Sequence, residues 1–298
     1  MTLSLSGVFA PLVTTFAANG ELDTRGFAAN IHAHLDAGLA GVVVAGSTGE
    51  AALLDEAERS SLIEVAREAV PKAKTLIAGV GTESTRLTIR YAKNAAARGA
   101  DAVLVVAPHY YSAAMSSEAL LRHYRAVGDA SPLPVVLYNI PKYMHFSIPK
   151  EVVAQLAKHA NIVGIKDSSG NKEILAGFLE SRSPTFSVVV GNGALLQHAM
   201  QNGATGGILG VSLFASSLAM DVFSAMKRGD AMTAAAPQER LAPLHTRIVA
   251  ELGVPGVKAA LDSVKLTGGP VRSPLLPVSA GERQEIGTLL KSAELVAA

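Results

Sequence analysis

Along the chain, short runs of apolar and β-branched residues alternate with longer stretches whose apolar positions recur at helical spacing. The runs fall at residues 7–13, 41–45, 75–79, 102–106, 135–139, 161–166, 187–191 and 205–210. They lack the strict apolar–polar alternation of a half-exposed strand, so each predicts a strand covered on both faces. Between them, Asp23 predicts the N-cap of a helix that reaches about Ala37 and closes at Gly38. Asp55 and Glu58 stand at capping-box spacing ahead of a helix to Val70, before Pro71. Further helices are predicted up to Gly99, from Ser116 to Val127, from Lys150 to Lys158, from Asn171, and from Leu195 to Gln201.

Strand and helix in strict succession is βαβ repetition, which implies a parallel sheet with right-handed crossovers. Eight repeats within residues 1–212 predict a (β/α)8 barrel carrying the active site. The competing open, doubly wound sheet would show a Gly-rich dinucleotide loop after its first strand. Residues 11–15 read Pro-Leu-Val-Thr-Thr instead. From 213 to 298 the pattern is purely helical and predicts a C-terminal extension packed on the barrel.

Composition narrows the function classes. A net charge of +1, with 17% charged residues, offers no electrostatic footprint for nucleic acid or an anionic membrane. The absence of cysteine excludes disulfides, thiolate catalysis and Cys-ligated metal. Residues 1–6 show no basic leader, and every apolar run falls short of the roughly 18 residues that a membrane helix needs. The expectation is a cytoplasmic protein acting on a small molecule.

In a (β/α)8 barrel, strand C-termini and the loops after them build the active site. Here those ends present Thr14, Thr15, Ser47, Thr48, Glu50, Thr82, His109, Tyr110, Tyr111, Tyr138, Asn139, Lys166, Asp167 and Asn192. The set holds one lysine, several phenols and hydroxyls, and no convergent His/carboxylate cluster, which argues against hydrolytic metal chemistry. Lys166 precedes the turn formers Asp167 to Gly170 and is expected at the very end of its strand. Desolvation there disfavours the ammonium, freeing the amine to attack a carbonyl. Taken alone, most strand-end lysines do nothing chemical and snorkel to water instead. Tyr138, one strand away, is in reach as a proton donor and acceptor. Gly46-Ser-Thr-Gly-Glu50 supplies amides and two hydroxyls suited to a carboxylate.

Taken together, Gly46-Ser-Thr-Gly-Glu50, Pro108-His-Tyr-Tyr111, Tyr138-Asn-Ile-Pro141, Val163-Gly-Ile-Lys-Asp167 and Gly203-Ala-Thr-Gly-Gly207 resemble the dihydrodipicolinate synthase/N-acetylneuraminate lyase family. These are class I pyruvate-dependent aldolases, and the resemblance spans essentially the whole chain. It implies Lys166 as the Schiff-base lysine, Tyr138 as proton relay, and Ser47 and Thr48 as ligands of the pyruvyl carboxylate. Ser47 would share the relay, and Tyr111 would reach across a subunit contact into a neighbour's. Gly191 and Ile208 would supply backbone contacts near the imine. No cofactor or metal is implied, and the family is typically a homotetramer, a dimer of dimers. The synthases place an arginine shortly after their Tyr-Asn-Val-Pro motif to bind the second substrate; Tyr143 stands there in this chain. Residues 106–117, 131–138, 253–258 and 268–272 look instead like 4-hydroxy-2-oxoglutarate aldolases, whereas Asn139, where those enzymes tend to carry serine, does not. The expected reaction is reversible cleavage of 4-hydroxy-2-oxoglutarate to pyruvate and glyoxylate. The alternatives are 4-hydroxy-tetrahydrodipicolinate synthesis and another sugar-acid aldolase or dehydratase reaction.

Overall fold

Eight parallel strands close into a barrel in chain order: β1 (Gly7–Pro11), β2 (Gly41–Val44), β3 (Thr75–Gly79), β4 (Ala102–Val106), β5 (Val135–Asn139), β6 (Ile162–Asp167), β7 (Ser187–Val190) and β8 (Gly206–Ile208). The protein is described here by a computed structural model covering residues 5–297. The first four residues, part of the segment read for a leader, lie outside it. Around the barrel run α1 (Thr24–Asp36), α2 (Glu56–Ala69), α3 (Thr85–Ala97), α4 (Ser117–Ala130), the single turn α5 (Pro141–Met144), α6 (Lys150–Leu156), α7 (Lys172–Leu179) and α8 (Leu196–Gln201). The extension adds α9 (Ser216–Lys227), α10 (Ala231–Leu244), a π-helical stretch His245–Glu251, α11 (Gly253–Ser263) and α12 (Ala280–Ser292). The architecture is the (β/α)8 barrel that the repeat predicted.

Local chemistry starts the helices where the pattern placed them. The Asp23 carboxylate accepts from the Gly26 amide at 2.9 Å, and Asp55 with Glu58 forms the reciprocal capping box of α2. Each cap is worth about 1 kcal/mol. Strands β1, β2 and β6 are buried at every position, as runs covered by helices outside and packed side chains within must be. The seam closes where Gly7 pairs with Gly206. Gly206 sits at φ +146, and a Cβ there would run into the Gly7 carbonyl, so the closure needs glycine. Among the described residues no helix is long and apolar enough to cross a membrane.

Two expectations change. β6 continues through Asp167, so Lys166 lies inside the strand and the turn begins at Ser168. Asp167 stays in the sheet because it pairs in register with Asn139 and Val190 on either side. The extension is also not helical throughout: residues 264–279 form an irregular strap between α11 and α12. Gly268, Gly269, Pro270, Pro274 and Pro277 deny it helical hydrogen bonds, and it is tied back to the barrel instead. Its Arg272 forks onto Glu58 at 2.6 and 2.7 Å, and its Thr267 amide donates to Asn30 at 3.0 Å.

Candidate active site

Strand register brings the lysine and the phenol together. Tyr138 of β5 is the partner of Lys166 of β6, and partners in register project from the same face. Both are buried, with Nζ of Lys166 4.1 Å from the centre of the Tyr138 ring. No carboxylate pairs with that amine among the described residues. One residue along, on the opposite face, Asn139 donates to Asp167 at 2.8 Å and accepts from the Ile148 amide at 3.0 Å. Asp167 also accepts from the Ser169 hydroxyl and amide, at 2.8 and 3.1 Å. Burial pushes its carboxyl above the usual range, and these hydrogen bonds pull the other way. The Asn139–Asp167 bond thus fixes, from behind, the register that sets Tyr138 against Lys166.

The loop after β2 is a tight turn bracketed by two left-handed residues, Ala45 at φ 53 and Glu50 at φ 55. Within it the amides of Gly49, Glu50 and Ala51 donate to the carbonyls of Gly46 and Ser47. Those of Ser47 and Thr48 have no acceptor among the described residues. Below, the Thr14 hydroxyl donates to the Gly49 carbonyl at 2.6 Å. Glu50 turns inward, ion-paired with Lys258 of α11 at 2.5 Å and accepting from the Arg272 amide at 2.8 Å. Both side chains of that pair are sealed from water. Burial draws the Lys258 pKa down, and the Glu50 charge opposes the shift.

These elements surround a cavity of about 210 Å³, lined by Lys166, Tyr138, Ser47, Thr48, Gly191, Ile208 and Tyr143. Gly191 follows β7 and donates its amide to the Asp167 carbonyl at 2.6 Å. A Cβ there would strike Oγ of Ser168 and press on Cε of Lys166 at 3.0 Å, so glycine leaves the lysine its channel. Burial and the neighbouring Tyr138 push the Tyr143 phenol above its usual range. Tyr111 does not line this cavity. It is 70% exposed and stacked edge-to-face on Tyr110 with centroids 5.0 Å apart. Glu83 holds the pair by accepting from the amides of His109 and Tyr110, both at 2.8 Å. Thr15, Thr82 and His109 also lie outside the lining.

One wall of the cavity does not come from strand ends. His245, Val249, Ala250, Gly253 and Val257 come from the extension, and Ser168 and Ser169 from the turn after β6. His245 is buried, and burial, with the Lys142 charge adding to it, lowers its pKa to about 4. Lys142 in turn donates to the Ala250 carbonyl at 2.6 Å. The available signal was that His245 is the single histidine after residue 213. No group of three or more His, Asp or Glu side chains able to hold a metal occurs among the described residues.

A closed (β/α)8 barrel whose cavity presents an unpaired buried amine against a phenol belongs with the lysine-dependent carbon–carbon lyases. The model of the dihydrodipicolinate synthetase family matches residues 4–293, and the chain belongs to that family. It is 39% identical over 286 residues, 93% of each chain, to the 4-hydroxy-tetrahydrodipicolinate synthase of Stenotrophomonas maltophilia strain K279a. Its structure resembles the chloride-inhibited dihydrodipicolinate synthase from Acinetobacter baumannii complexed with pyruvate. That TM-score is 0.94 at 29% identity, over 98% of this chain and all (100%) of the other. It also resembles YagE, a prophage protein of the dihydrodipicolinic acid synthase family from E. coli K12, in complex with pyruvate. There the TM-score is 0.93 at 28% identity, over 99% and 100% of the two chains.

Proposed function

We propose that the protein is a pyruvate-dependent Schiff-base aldolase, with Lys166 as the amine that forms the imine. The observation that carries this is the amine of the buried Lys166, with no carboxylate partner among the described residues and 4.1 Å from the centre of the Tyr138 ring. The amine adds to the pyruvyl ketone, and the carbinolamine loses water to a protonated imine. Loss of a proton from the adjacent methyl then gives an enamine, which attacks the carbonyl carbon of a second substrate. Hydrolysis of the new imine frees the product and restores the amine. Each step moves a proton, which Tyr138 and the Ser47 hydroxyl relay. The unused amides and hydroxyls of Ser47 and Thr48 hold the pyruvyl carboxylate. Backbone at Gly191 and Ile208 abuts the imine. Tyr111, standing outside its own cavity, completes the relay of a second copy in a dimer of dimers, a reading supported by its exposure beside Tyr110.

Kinship supports aspartate semialdehyde as the second substrate, because the Stenotrophomonas relative bears the 4-hydroxy-tetrahydrodipicolinate synthase name. A second reading, cleavage of 4-hydroxy-2-oxoglutarate, draws on a specific feature: among the described residues the cavity lining includes Tyr143 and no arginine. A synthase that grips a carboxylate by a guanidinium fork loses that bidentate contact here. Borohydride reduction with pyruvate should add a stable mass to the peptide containing Lys166, and Lys166→Ala should abolish it. An unmodified wild-type protein would exclude the imine. Turnover of pyruvate with aspartate semialdehyde against cleavage of 4-hydroxy-2-oxoglutarate then separates the two readings.

A further inference from the structure

The wall built by the extension carries a polar group that the steps above leave unused. His245 lines the cavity while remaining 5% exposed, and neither ring nitrogen has a hydrogen-bond partner among the described residues. Its Nδ1 is fully shielded, on the side facing the turn at Gly193. Nδ1 is therefore out of a ligand's reach. Nε2, which is not sealed in this way and has no hydrogen-bond partner among the described residues, is the nitrogen left to meet a ligand in the cavity; buried imidazoles are normally hydrogen-bonded. The backbone reinforces this. His245 opens the π-helical stretch His245–Glu251, and such irregular turns concentrate where a helix must aim a side chain.

Charge identifies what arrives. Among the described residues the cavity wall contains Lys142, Lys166 and His245 and no carboxylate. Lys142 is anchored on the Ala250 carbonyl within the same π-helical stretch, so its ammonium and the imidazole are neighbours. One lysine is committed to the imine, which leaves the second for a second anionic group. The ring itself stays neutral, so at Nε2 it can offer an N–H rather than a charge.

We propose that His245 is a specificity-determining residue: its imidazole hydrogen-bonds an oxygen of the second substrate, a carbonyl compound whose carboxylate lies beside Lys142. This rests on the Schiff-base reading above and adds to it a role for the extension, which selects the partner of the pyruvyl enamine. The test compares wild type, His245→Leu and His245→Gln, using saturating pyruvate with aspartate semialdehyde or glyoxylate, and with the uncharged aldehyde propanal. Borohydride trapping of pyruvate alone is run in parallel on the same preparations. His245→Leu should raise the KM of the acidic aldehyde by roughly tenfold, the scale of one lost hydrogen bond. Selectivity over propanal should narrow by a similar factor, pyruvate trapping should stay at the wild-type level, and His245→Gln should recover part of the loss. Unchanged selectivity in His245→Leu, with wild type still trapping pyruvate, overturns the role of His245 alone. So does a loss of trapping in His245→Leu that matches its loss of turnover, because the ring would then serve the imine or the fold. A wild type that traps no pyruvate instead overturns the Schiff-base reading on which this one stands.

Discussion

Replacing Lys258 with methionine keeps most of the side chain's volume and removes only the ammonium facing Glu50. The two side chains are 2% and 0% exposed and meet at 2.5 Å, so no water can take the place of the lost charge. Glu50 would keep one hydrogen bond, from the Arg272 amide at 2.8 Å, and the Pro270 carbonyl would lose the donor now at 2.6 Å. Stranding one member of a buried pair costs about 3–5 kcal/mol. At about 2–4 °C per kcal/mol for a large domain, the midpoint of thermal unfolding should drop on the order of 10 °C. Glu50 also closes the turn that presents the Ser47 and Thr48 amides, so the KM for pyruvate should rise alongside. Calorimetry and urea unfolding measure the first effect, and initial rates measure the second. The double variant Glu50→Gln with Lys258→Met removes both charges and should regain most of the stability, since the cost lies in the unpaired ion. A loss below about 1 kcal/mol in Lys258→Met, or a double variant no more stable than the single one, would refute the argument.

Gly191→Ala should fold normally by circular dichroism yet lose roughly 100-fold or more in turnover, because the methyl displaces Ser168 and Cε of Lys166; wild-type turnover would refute the packing argument. Tyr138→Phe should keep the imine's site but slow turnover about 100- to 10,000-fold, read by single-turnover kinetics with pyruvate. His34 is buried in α1 with its pKa held near 4 by desolvation. As pH falls below about 6.5, the unfolded chain takes up a proton that the folded one refuses, so stability declines toward pH 4 by about 1.4 kcal/mol per unit. His34→Leu should therefore flatten the fall in unfolding free energy between pH 7 and pH 5 by about 2 kcal/mol, and an unchanged slope would reject the assignment.

The order of elements, the barrel and the pairing of Lys166 with Tyr138 were legible along the chain, because each is local or periodic. A strand covered on both faces shows itself as an apolar run, and a cap such as Asp23 acts within a few residues. The barrel rule then converts strand ends into neighbours without further information. The extension escaped that rule. His245 reaches the cavity, and Lys258 reaches Glu50 across more than two hundred positions of sequence, through contacts that no period encodes. The same holds for the strap at 264–279, whose Arg272 meets Glu58 from 214 positions away. It holds again for Tyr111, whose exposure follows from Glu83 anchoring the loop after β4. Sequence spacing reports interactions between near neighbours. Which distant side chains share a buried site is decided when the chain closes and desolvates them together.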